Sequence, residues 1–475
     1  MVDQKDSTHV AVIGGGPGGY AAAFMAADLG LDVTLVDPEE NPGGVCLYRG
    51  CIPSKALLHV AKLIAETREA ESWGLKFGEV EIDLDKLRSW KDGVVGKLTG
   101  GLGQLARARK VTHIRGKARF VSSTTLEIKA ADGARRRLTT RYCILATGSR
   151  PAVIPNLAPE SDRILDSTSA LDIKSVPRTL LVVGGGYIGL ELGTVYAALG
   201  SKVSVVEMTP SLLPGADKDL VSILSKRLKS SFESIMLNST VAEMKEQKNG
   251  IRATFRGDKL EKESAVYEKV LMSVGRKPNS GDLGLENTKV RTDQRGFVIV
   301  NERRQTDDPA IFAIGDIAGE PMLAHKASHE GRVVAEVIAG KHVNYDPRAI
   351  PAVVFTDPEI AWCGLMEHEA KQKGIDVKVS RFPWAASGRA TTLGRNDGVT
   401  KIVVDANTDR VLGVGIAGAG AGELIAEAVL AIEMGALASD LGLTIHPHPT
   451  LSETIMGAAD LIYGHATDYY RPKRA

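Results

Sequence analysis

Residues 9–37 read HVAVIGGGPGGYAAAFMAADLGLDVTLVD. An apolar strand runs into Gly14-Gly15-Gly16-Pro17-Gly18-Gly19, a helix of small residues continues to Leu29-Gly30, and a second apolar strand ends in Asp37. Gly14, Gly16 and Gly19 have the Gly-x-Gly-x-x-Gly spacing, and each glycine has a physical task. The first permits a tight turn, the second lets backbone N–H groups approach a pyrophosphate, and the third lets helix and sheet pack closely. The helix N-terminus then faces the phosphate charge, and the acid closing the second strand accepts hydrogen bonds from a ribose hydroxyl.

Residues 180–207, LLVVGGGYIGLELGTVYAALGSKVSVVE, repeat the pattern. Gly184, Gly186, Gly189, Leu199, Gly200 and Glu207 each lie 170 residues after their counterparts in the first copy. One Gly-rich turn can merely close a loop, whereas two copies with an acid at matching spacing predict two dinucleotide sites. A carboxylate at the position of Glu207 would repel a 2′-phosphate, so the second site is predicted to take NAD and not NADP.

Outward from these units, Ile144 to Gly148, Val270 to Gly275 with Arg276 behind it, and Ile311 to Ile314 before Gly315-Asp316 read as buried strands entering turns. Segments 116–140 and 236–270 mix β-branched residues, charges and glycine, which predicts antiparallel excursions. Trp90 to Arg109 reads as a surface helix. From Pro351 onward, the run Ala352 to Phe355, the strand Val399 to Val404 and the helix Glu423 to Met434 predict a further α+β domain. The expected fold is therefore α/β, with two Rossmann-like dinucleotide-binding domains and a C-terminal α+β domain. The expected divisions are 1–150, 151–280, 281–350 and 351–475.

Composition narrows the function. Of 475 residues, 43% are hydrophobic and 25% charged, and the formal net charge is +1, so no broad preference for nucleic acid or anionic membrane is expected and partners must be argued locally. No run approaches 18 uninterrupted apolar residues, which predicts no membrane span. Met1 to Thr8 is short, polar and acidic, without a targeting pattern, and predicts a cytoplasmic protein. Four cysteines do not make a disulfide-stapled secreted fold. Two of them, Cys46 and Cys51, stand five apart in Gly43-Gly44-Val45-Cys46-Leu47-Tyr48-Arg49-Gly50-Cys51-Ile52-Pro53-Ser54-Lys55. Such a close pair predicts a reactive or metal-binding role. No metal is expected, because no second Cys/His pair stands nearby to complete four ligands. In a reducing compartment a disulfide here would be transient and catalytic. Cys143, in an apolar strand, and Cys363, read as lying near a turn, are expected to be buried small hydrophobes.

With these pieces in place the chain resembles the pyridine nucleotide-disulfide oxidoreductases over essentially its whole length. The anchors are the two glycine fingerprints, Gly43 to Lys55, Ile314-Gly315-Asp316, Met322-Leu323-Ala324-His325, and His446-Pro447-His448-Pro449-Thr450-Leu451-Ser452-Glu453. The resemblance implies FAD at the first fingerprint, with Asp37 on the adenosine ribose and Gly44 and Gly116 along the cofactor. It places Lys55 close to the isoalloxazine, Thr147, Gly148 and Ser149 along the site, Asp316 on the ribityl chain, and Met322 to His325 against the ring system. It implies NAD at the second fingerprint, with Glu191 among its binding residues, Glu207 on the ribose, and Val241, Gly275 and Arg276 along the path. Lys55 and Glu191 would pair near flavin N5. The substrate implied is dihydrolipoamide, carried by the lipoylated acyltransferase of a 2-oxo acid dehydrogenase complex or by the glycine cleavage carrier protein.

The implied chemistry follows from the residues. A dithiol must become a thiolate before it attacks a Cys46–Cys51 disulfide. His448, whose ordinary pKa is about 6.5, suits that proton transfer, and Glu453 would fix its tautomer. Cys46 exchanges with substrate, Cys51 becomes the thiolate facing the flavin, and electrons continue to NAD. In the family His448 serves the disulfide of the other subunit, which implies a homodimer. Where the family usually has Asn-Val or Asn-Arg between the cysteines this chain has Tyr48-Arg49, and a phenol is expected near the thiols. The alternatives are another FAD/NAD(P)H disulfide reductase on the same scaffold and a non-enzymatic flavoprotein redox sensor.

Overall fold

The first fingerprint folds into β1 (Ser7–Ile13), α1 (Pro17–Asp28) and β2 (Val33–Asp37), with β1 and β2 parallel and Val10 opposite Val33. The computed structural model describes residues 7–257, 260 and 262–470. Most of the stretch Met1 to Thr8 therefore lies outside the described residues, as do 258, 259 and 261 within the excursion 236–270. After β2 come α2 (Gly44–Arg49), α3 (Cys51–Glu69) and α4 (Leu84–Ala108). The last begins six residues earlier than the apolar pattern from Trp90 predicts, because the Asp83 side chain caps it by accepting from the N–H groups of Asp85 and Lys86. β3 (Thr112–Ser122), β4 (Thr125–Ala130) and β5 (Arg135–Leu145) follow. The long strands β3 and β5 change partners within one sheet: one end of each pairs in parallel with β2 and β1, and the other pairs with β4 as an antiparallel meander.

The duplication is visible in the topology. β6 (Ser149–Pro151) and β7 (Ile164–Leu165) lead into the second copy, β8 (Thr179–Val183), α5 (Tyr187–Ala198) and β9 (Lys202–Val206). Beyond it lie α6 (Lys218–Ser231), β10 (Ser234–Met236), the meander β11 (Ser239–Gln247), β12 (Gly250–Gly257) and β13 (Ser264–Tyr267), then β14 (Lys269–Met272). The parallel order is β10-β9-β8-β14-β7, matching β3-β2-β1-β5-β16 in the first unit, where β16 is Ile311–Ala313. β15 (Arg276–Pro278) pairs back on β6 and joins the two units. Ligands of such sheets bind beyond the carboxyl ends of the strands, where the order reverses.

α7 (Ala324–Ile338) returns to lie against α1. The contact is close because it is built from small residues: a Cβ on Gly331 would stand 2.5 Å from the Gly18 carbonyl oxygen. The C-terminal sheet is antiparallel, in the order β17 (Ala352–Val354), β18 (Glu359–Gly364), β21 (Val411–Gly418), β20 (Val399–Asp405), β19 (Val377–Pro383). Around it lie α8 (Glu367–Lys373), α9 (Gly388–Thr392), α10 (Ala421–Met434), α11 (Ala438–Leu443) and α12 (Glu453–Tyr463). Cys363 sits inside β18 rather than beside a turn, and both it and Cys143 are buried, which pushes each thiol's pKa up.

Two features orient the C-terminal domain. Trp384 is wholly buried and donates its indole N–H to Thr400 Oγ1 at 3.0 Å, while Thr400 also bonds Thr454 at the start of α12 at 2.8 Å. Lys401, buried on β20, meets Asp217 at 2.7 Å and Asp219 at 2.9 Å, beside Glu367. Burial pushes the Asp217 and Asp219 carboxyls up, but their bonds to Lys401 and to His368 or Arg381 outweigh it and hold both below the usual range. This ion cluster ties the foot of α6 to the C-terminal sheet. Among the described residues no helix is long and apolar enough to cross a membrane.

Candidate active site

Both fingerprints place their glycines in the same geometry. Gly14 and Gly184 have φ of +104° and +105°, and a Cβ on either would strike the carbonyl oxygen of Ala146 at 2.3 Å or of Ser273 at 2.4 Å. At Gly16 a Cβ would find its first neighbour at 4.0 Å and at Gly186 none, so both backbones are open to a close ligand. The acids match as well. Asp37 Oδ2 accepts from Gly15 N at 2.6 Å and Oδ1 from Glu39 N at 2.9 Å; Glu207 Oε2 accepts from Gly185 N at 2.6 Å and Oε1 from Thr209 N at 2.8 Å. Each carboxylate is fixed by two backbone N–H groups at the rim of its loop, with lone pairs left for hydroxyl donors. Burial is the main influence on Asp37 and raises its pKa.

A cavity of about 780 Å³ begins at the first fingerprint and Asp37 and runs past the cysteines to Asp316 and Tyr187. It gathers Gly14, Gly16, Asp37, Gly44, Cys46, Cys51, Lys55, Gly116, Thr147, Gly148, Ser149, Glu191, Arg276, Asp316, Met322 and Ala324, each a site residue expected from the sequence. Several other expected residues stand off its wall. Gly19 packs against the Gly14 carbonyl, Leu323 precedes α7, and His325 bonds the Pro351 carbonyl oxygen at 2.7 Å. Gly184, Gly186, Gly189, Glu207 and Gly275 belong to the second unit, where Val241 is buried in the core behind β8. Arg276 bridges the units: its guanidinium donates to Ser149 Oγ at 2.7 Å and to Ser149 O at 2.8 Å, and Ser149 donates on to Asp316 Oδ2 at 2.5 Å. Asp316 is thereby aimed from both halves of the chain.

The cysteines occupy two helices, Cys46 within α2 and Cys51 as the first residue of α3. The two thiols are close enough to shift each other's ionisation in opposite directions. Proximity to Cys51 and burial push Cys46 up, whereas proximity to Cys46 and the Lys55 ammonium outweigh burial at Cys51 and bring it down to about 7. The N-terminus of α3 adds to the effect. Lys55 is held by Glu191 Oε2 at 2.7 Å and lies 4.6 Å from the Phe355 ring; Glu191 Oε1 also accepts from Phe355 N at 3.0 Å. Glu191 is 3% exposed, so the pair is internal rather than a solvated surface bridge. The Cys51 thiolate predominates above about pH 7 and protonates as the pH falls through it. In the dithiol form, the long-wavelength absorbance of a thiolate beside bound flavin is expected to halve near that pH. Lys55→Met is expected to move the midpoint upward by roughly one unit or more, since a nearby opposite charge lowers a pKa by about 1–3; an unmoved midpoint would remove Lys55 from the site's electrostatics.

The Tyr48 hydroxyl turns to Asn41 rather than to the thiols. It donates to the Asn41 carbonyl at 3.0 Å and accepts from Asn41 N at 3.3 Å, and Arg49 pairs with Glu39. The two residues fasten the helix carrying Cys46 to the loop behind Asp37. The phenol near the sulfurs is Tyr20 on α1, raised by burial and then by Cys46 and Cys51. Tyr187, at the start of α5, lies on the cavity wall and is pushed up to about 12, mainly by burial. Tyr20 directly follows the first fingerprint and Tyr187 interrupts the second. Those placements are the sequence signal for both residues, and glycine spacing alone does not point to either.

At the other end of the chain His448 Nδ1 lies 2.8 Å from Glu453 Oε1, while Glu453 Oε2 accepts from Thr450 N at 2.7 Å. Burial raises the Glu453 carboxyl, but the Thr450 N–H and His448 outweigh it and hold it below its ordinary value. An ionised Glu453 accepts the Nδ1 proton and leaves Nε2 as the free lone pair, on a side chain 78% exposed. His446 differs: its nitrogens meet Thr444 O and Glu427 Oε1, both at 2.8 Å, so neither is free. His448 does not line the cavity that holds the cysteines of its own chain. In the same domain, on α10 and at and after the end of α11, Leu430, Met434, Leu443 and Ile445 are exposed apolar side chains, the pattern of an association face.

Two dinucleotide loops, a dithiol on the wall of the first, and a distant His-Glu pair beside an apolar face define a flavin- and nicotinamide-linked disulfide oxidoreductase. Residues 8–331 match the model of the pyridine nucleotide-disulphide oxidoreductases and residues 350–459 that of their dimerisation domain, and the chain belongs to this family. It is similar to proteins named dihydrolipoyl dehydrogenase from Vibrio cholerae, 48% identical over 98% of both chains, and from Haemophilus influenzae, 49% identical over 98% of this chain and 97% of that one. The fold matches the crystal structure of LpdA from Mycobacterium tuberculosis with a TM-score of 0.89 at 27% identity, covering 96% of this chain and 99% of that one. It also matches the HOCl-induced flavoprotein disulfide reductase RclA from Escherichia coli with a TM-score of 0.85 at 27% identity, covering 95% and 99%. The family works with FAD and NAD, and its dimerisation domain makes the chain a homodimer.

Proposed function

We propose that this protein is a dihydrolipoyl dehydrogenase, oxidising protein-bound dihydrolipoamide to lipoamide with NAD as acceptor. The observation that carries the reading is the Cys46–Cys51 pair on the cavity wall with Lys55, held by Glu191, on the same wall. The residues fit a bound FAD: Gly16 is open for a pyrophosphate, Asp37 presents lone pairs to a ribose, and Asp316 is aimed by Ser149 toward a ribityl chain. When bound, FAD takes an electron pair from the dithiol and passes it to NAD. Gly184, Gly186, Gly189 and Glu207 would hold the NAD, with Val241, Gly275 and Arg276 along its path. Met322 to His325 would border the flavin.

In this reading His448 of one subunit deprotonates a substrate thiol at the disulfide of the other. The thiolate attacks Cys46 Sγ, and the disulfide breaks with Cys51 leaving as thiolate, a good leaving group because its pKa is low. The second substrate thiol then attacks the first substrate sulfur, its proton passing to the departing Cys46 sulfur. The cyclic disulfide leaves with Cys46 as thiol, Cys51 as thiolate and His448 protonated, and two electrons have passed to the protein. Lys55, fixed by Glu191, stabilises the charge left on Cys51. The substrate arm belongs to a lipoylated acyltransferase of a 2-oxo acid dehydrogenase complex, with the glycine cleavage carrier protein as a second candidate, and the site of action is the cytoplasm. The divisions 1–150, 151–280, 281–350 and 351–475 belong to the same reading.

The test is NADH formation from dihydrolipoamide and NAD by the FAD-loaded dimer, beside glutathione disulfide with NADPH, which is expected to give no turnover. The reverse pattern would move the protein to another reductase of the scaffold. Like charges brought together cost several kcal/mol, so Glu207 is expected to hold kcat/KM for NADP roughly a hundredfold or more below that for NAD. Glu207→Ala is expected to narrow that gap; equal use of both nucleotides by the parent would remove Glu207 from the NAD site.

A further inference from the structure

The meander of β3, β4 and β5 turns one face to the core and the other to solvent. Ala118, Phe120, Leu126, Ile128 and Leu138 are buried, while the alternate positions are exposed and mostly cationic. The register sets these charges in rows. Lys117 stands opposite Lys129 and Lys129 opposite Arg135; in the next row Arg119 stands opposite Glu127 and Glu127 opposite Arg137. Like charges directly opposite in an antiparallel pair are destabilising. Neighbouring strands lie about 4.8 Å apart, inside a Debye length of roughly 8–10 Å, so salt does not cancel the repulsion. The chain as a whole carries a net charge of +1, so this row of three cations is a local concentration.

From this face we infer a docking surface for an acidic segment of a partner protein. What the face already binds indicates the ligand chemistry. Glu127 lies 3.6 Å from Arg135 in the middle of the face, and Glu286 lies 3.6 Å from Arg119 at its border. Carboxylates placed beside guanidiniums thus relieve the repulsion where they occur; in the row Lys117–Lys129–Arg135 only Arg135 shares one, and among the described residues Lys117 and Lys129 meet none. Arginine, which supplies three of the cations, binds carboxylate through paired N–H groups. Other polyanions fit less well. A duplex offers a charge every 1.7 Å or so, and its phosphates would meet the Glu127 carboxylate in the middle of the face. Val121 is the one large apolar side chain exposed on these three strands among the described residues, too little to enter a membrane or to stack bases.

Lys129→Glu separates docking from structure, because it places a carboxylate between Lys117 and Arg135. On the FAD-loaded dimer it is expected to leave dihydrolipoamide turnover unchanged and to keep or raise the melting temperature. It is expected to weaken binding of a dye-labelled oligoglutamate peptide, read by anisotropy, by roughly tenfold at low ionic strength. Arg135→Ser with Arg137→Ser is expected to weaken the same peptide without unfolding the sheet. Equal peptide affinity in parent and variants, absence of peptide binding at low salt, or tighter binding of duplex DNA or anionic vesicles at the same ionic strength would overturn the assignment. Because turnover is followed in parallel, failure of this surface is distinguishable from failure of the proposed activity.

Discussion

Cys51→Ser is expected to bind FAD like the parent and to lose dihydrolipoamide-dependent NADH formation by at least roughly a thousandfold, the scale on which removal of an essential nucleophile acts. Cys51 is the sulfur whose charge is stabilised by the Cys46 thiol, by Lys55 and by the start of α3. A serine hydroxyl is close in size but neither forms the disulfide nor ionises near neutrality. The loss therefore falls on chemistry and leaves the cavity intact, and flavin content with the visible spectrum reports the second half of that statement. Cys46→Ser is expected to be equally inactive, but it keeps the thiolate at Cys51 and hence the long-wavelength absorbance that Cys51→Ser lacks. Turnover retained in either variant would eliminate the dithiol route.

His448→Gln is expected to slow reduction of the disulfide by dihydrolipoamide by roughly 10²- to 10⁴-fold, the usual contribution of a positioned general base. The geometry gives the reason: Glu453 engages Nδ1 at 2.8 Å and leaves Nε2 as acceptor, a proton site that glutamine lacks. The loss is expected to diminish as the pH rises toward the ordinary thiol range of about 8.5, where substrate ionises without help. His446→Gln is expected to leave that pH profile in place, because both His446 nitrogens are already engaged. Rapid mixing with dihydrolipoamide checks both variants; an unslowed His448→Gln would reassign the base.

Features encoded by short spacings are legible in the amino-acid order alone. The glycine turns with Asp37 and Glu207, the cysteines five residues apart, and His448 with Glu453 each sit within one short motif, so local chemistry is enough to identify them. Contacts closed by the fold are not legible in that way. The fold brings Tyr20 on α1 within electrostatic range of the thiols, and the chain Arg276–Ser149–Asp316 exists only because β15 pairs with β6. Tyr48 departs from expectation for the same reason: sequence adjacency to Cys46 says nothing of its direction, and its hydroxyl turns to Asn41. A net charge near zero hides the cationic rows, since cross-strand register rather than composition brings Lys117, Lys129 and Arg135 side by side.

The central claim is that electrons from a dithiol reach NAD through Cys46 and Cys51. Anaerobic titration of the FAD-loaded dimer with dihydrolipoamide, followed by addition of NAD, tests it most directly. The account predicts a long-wavelength thiolate band at two electrons per subunit, its decay on adding NAD with one NADH formed per dithiol oxidised, and repetition over many cycles. NADH formation without the band, or a band that NAD leaves unchanged, would contradict it.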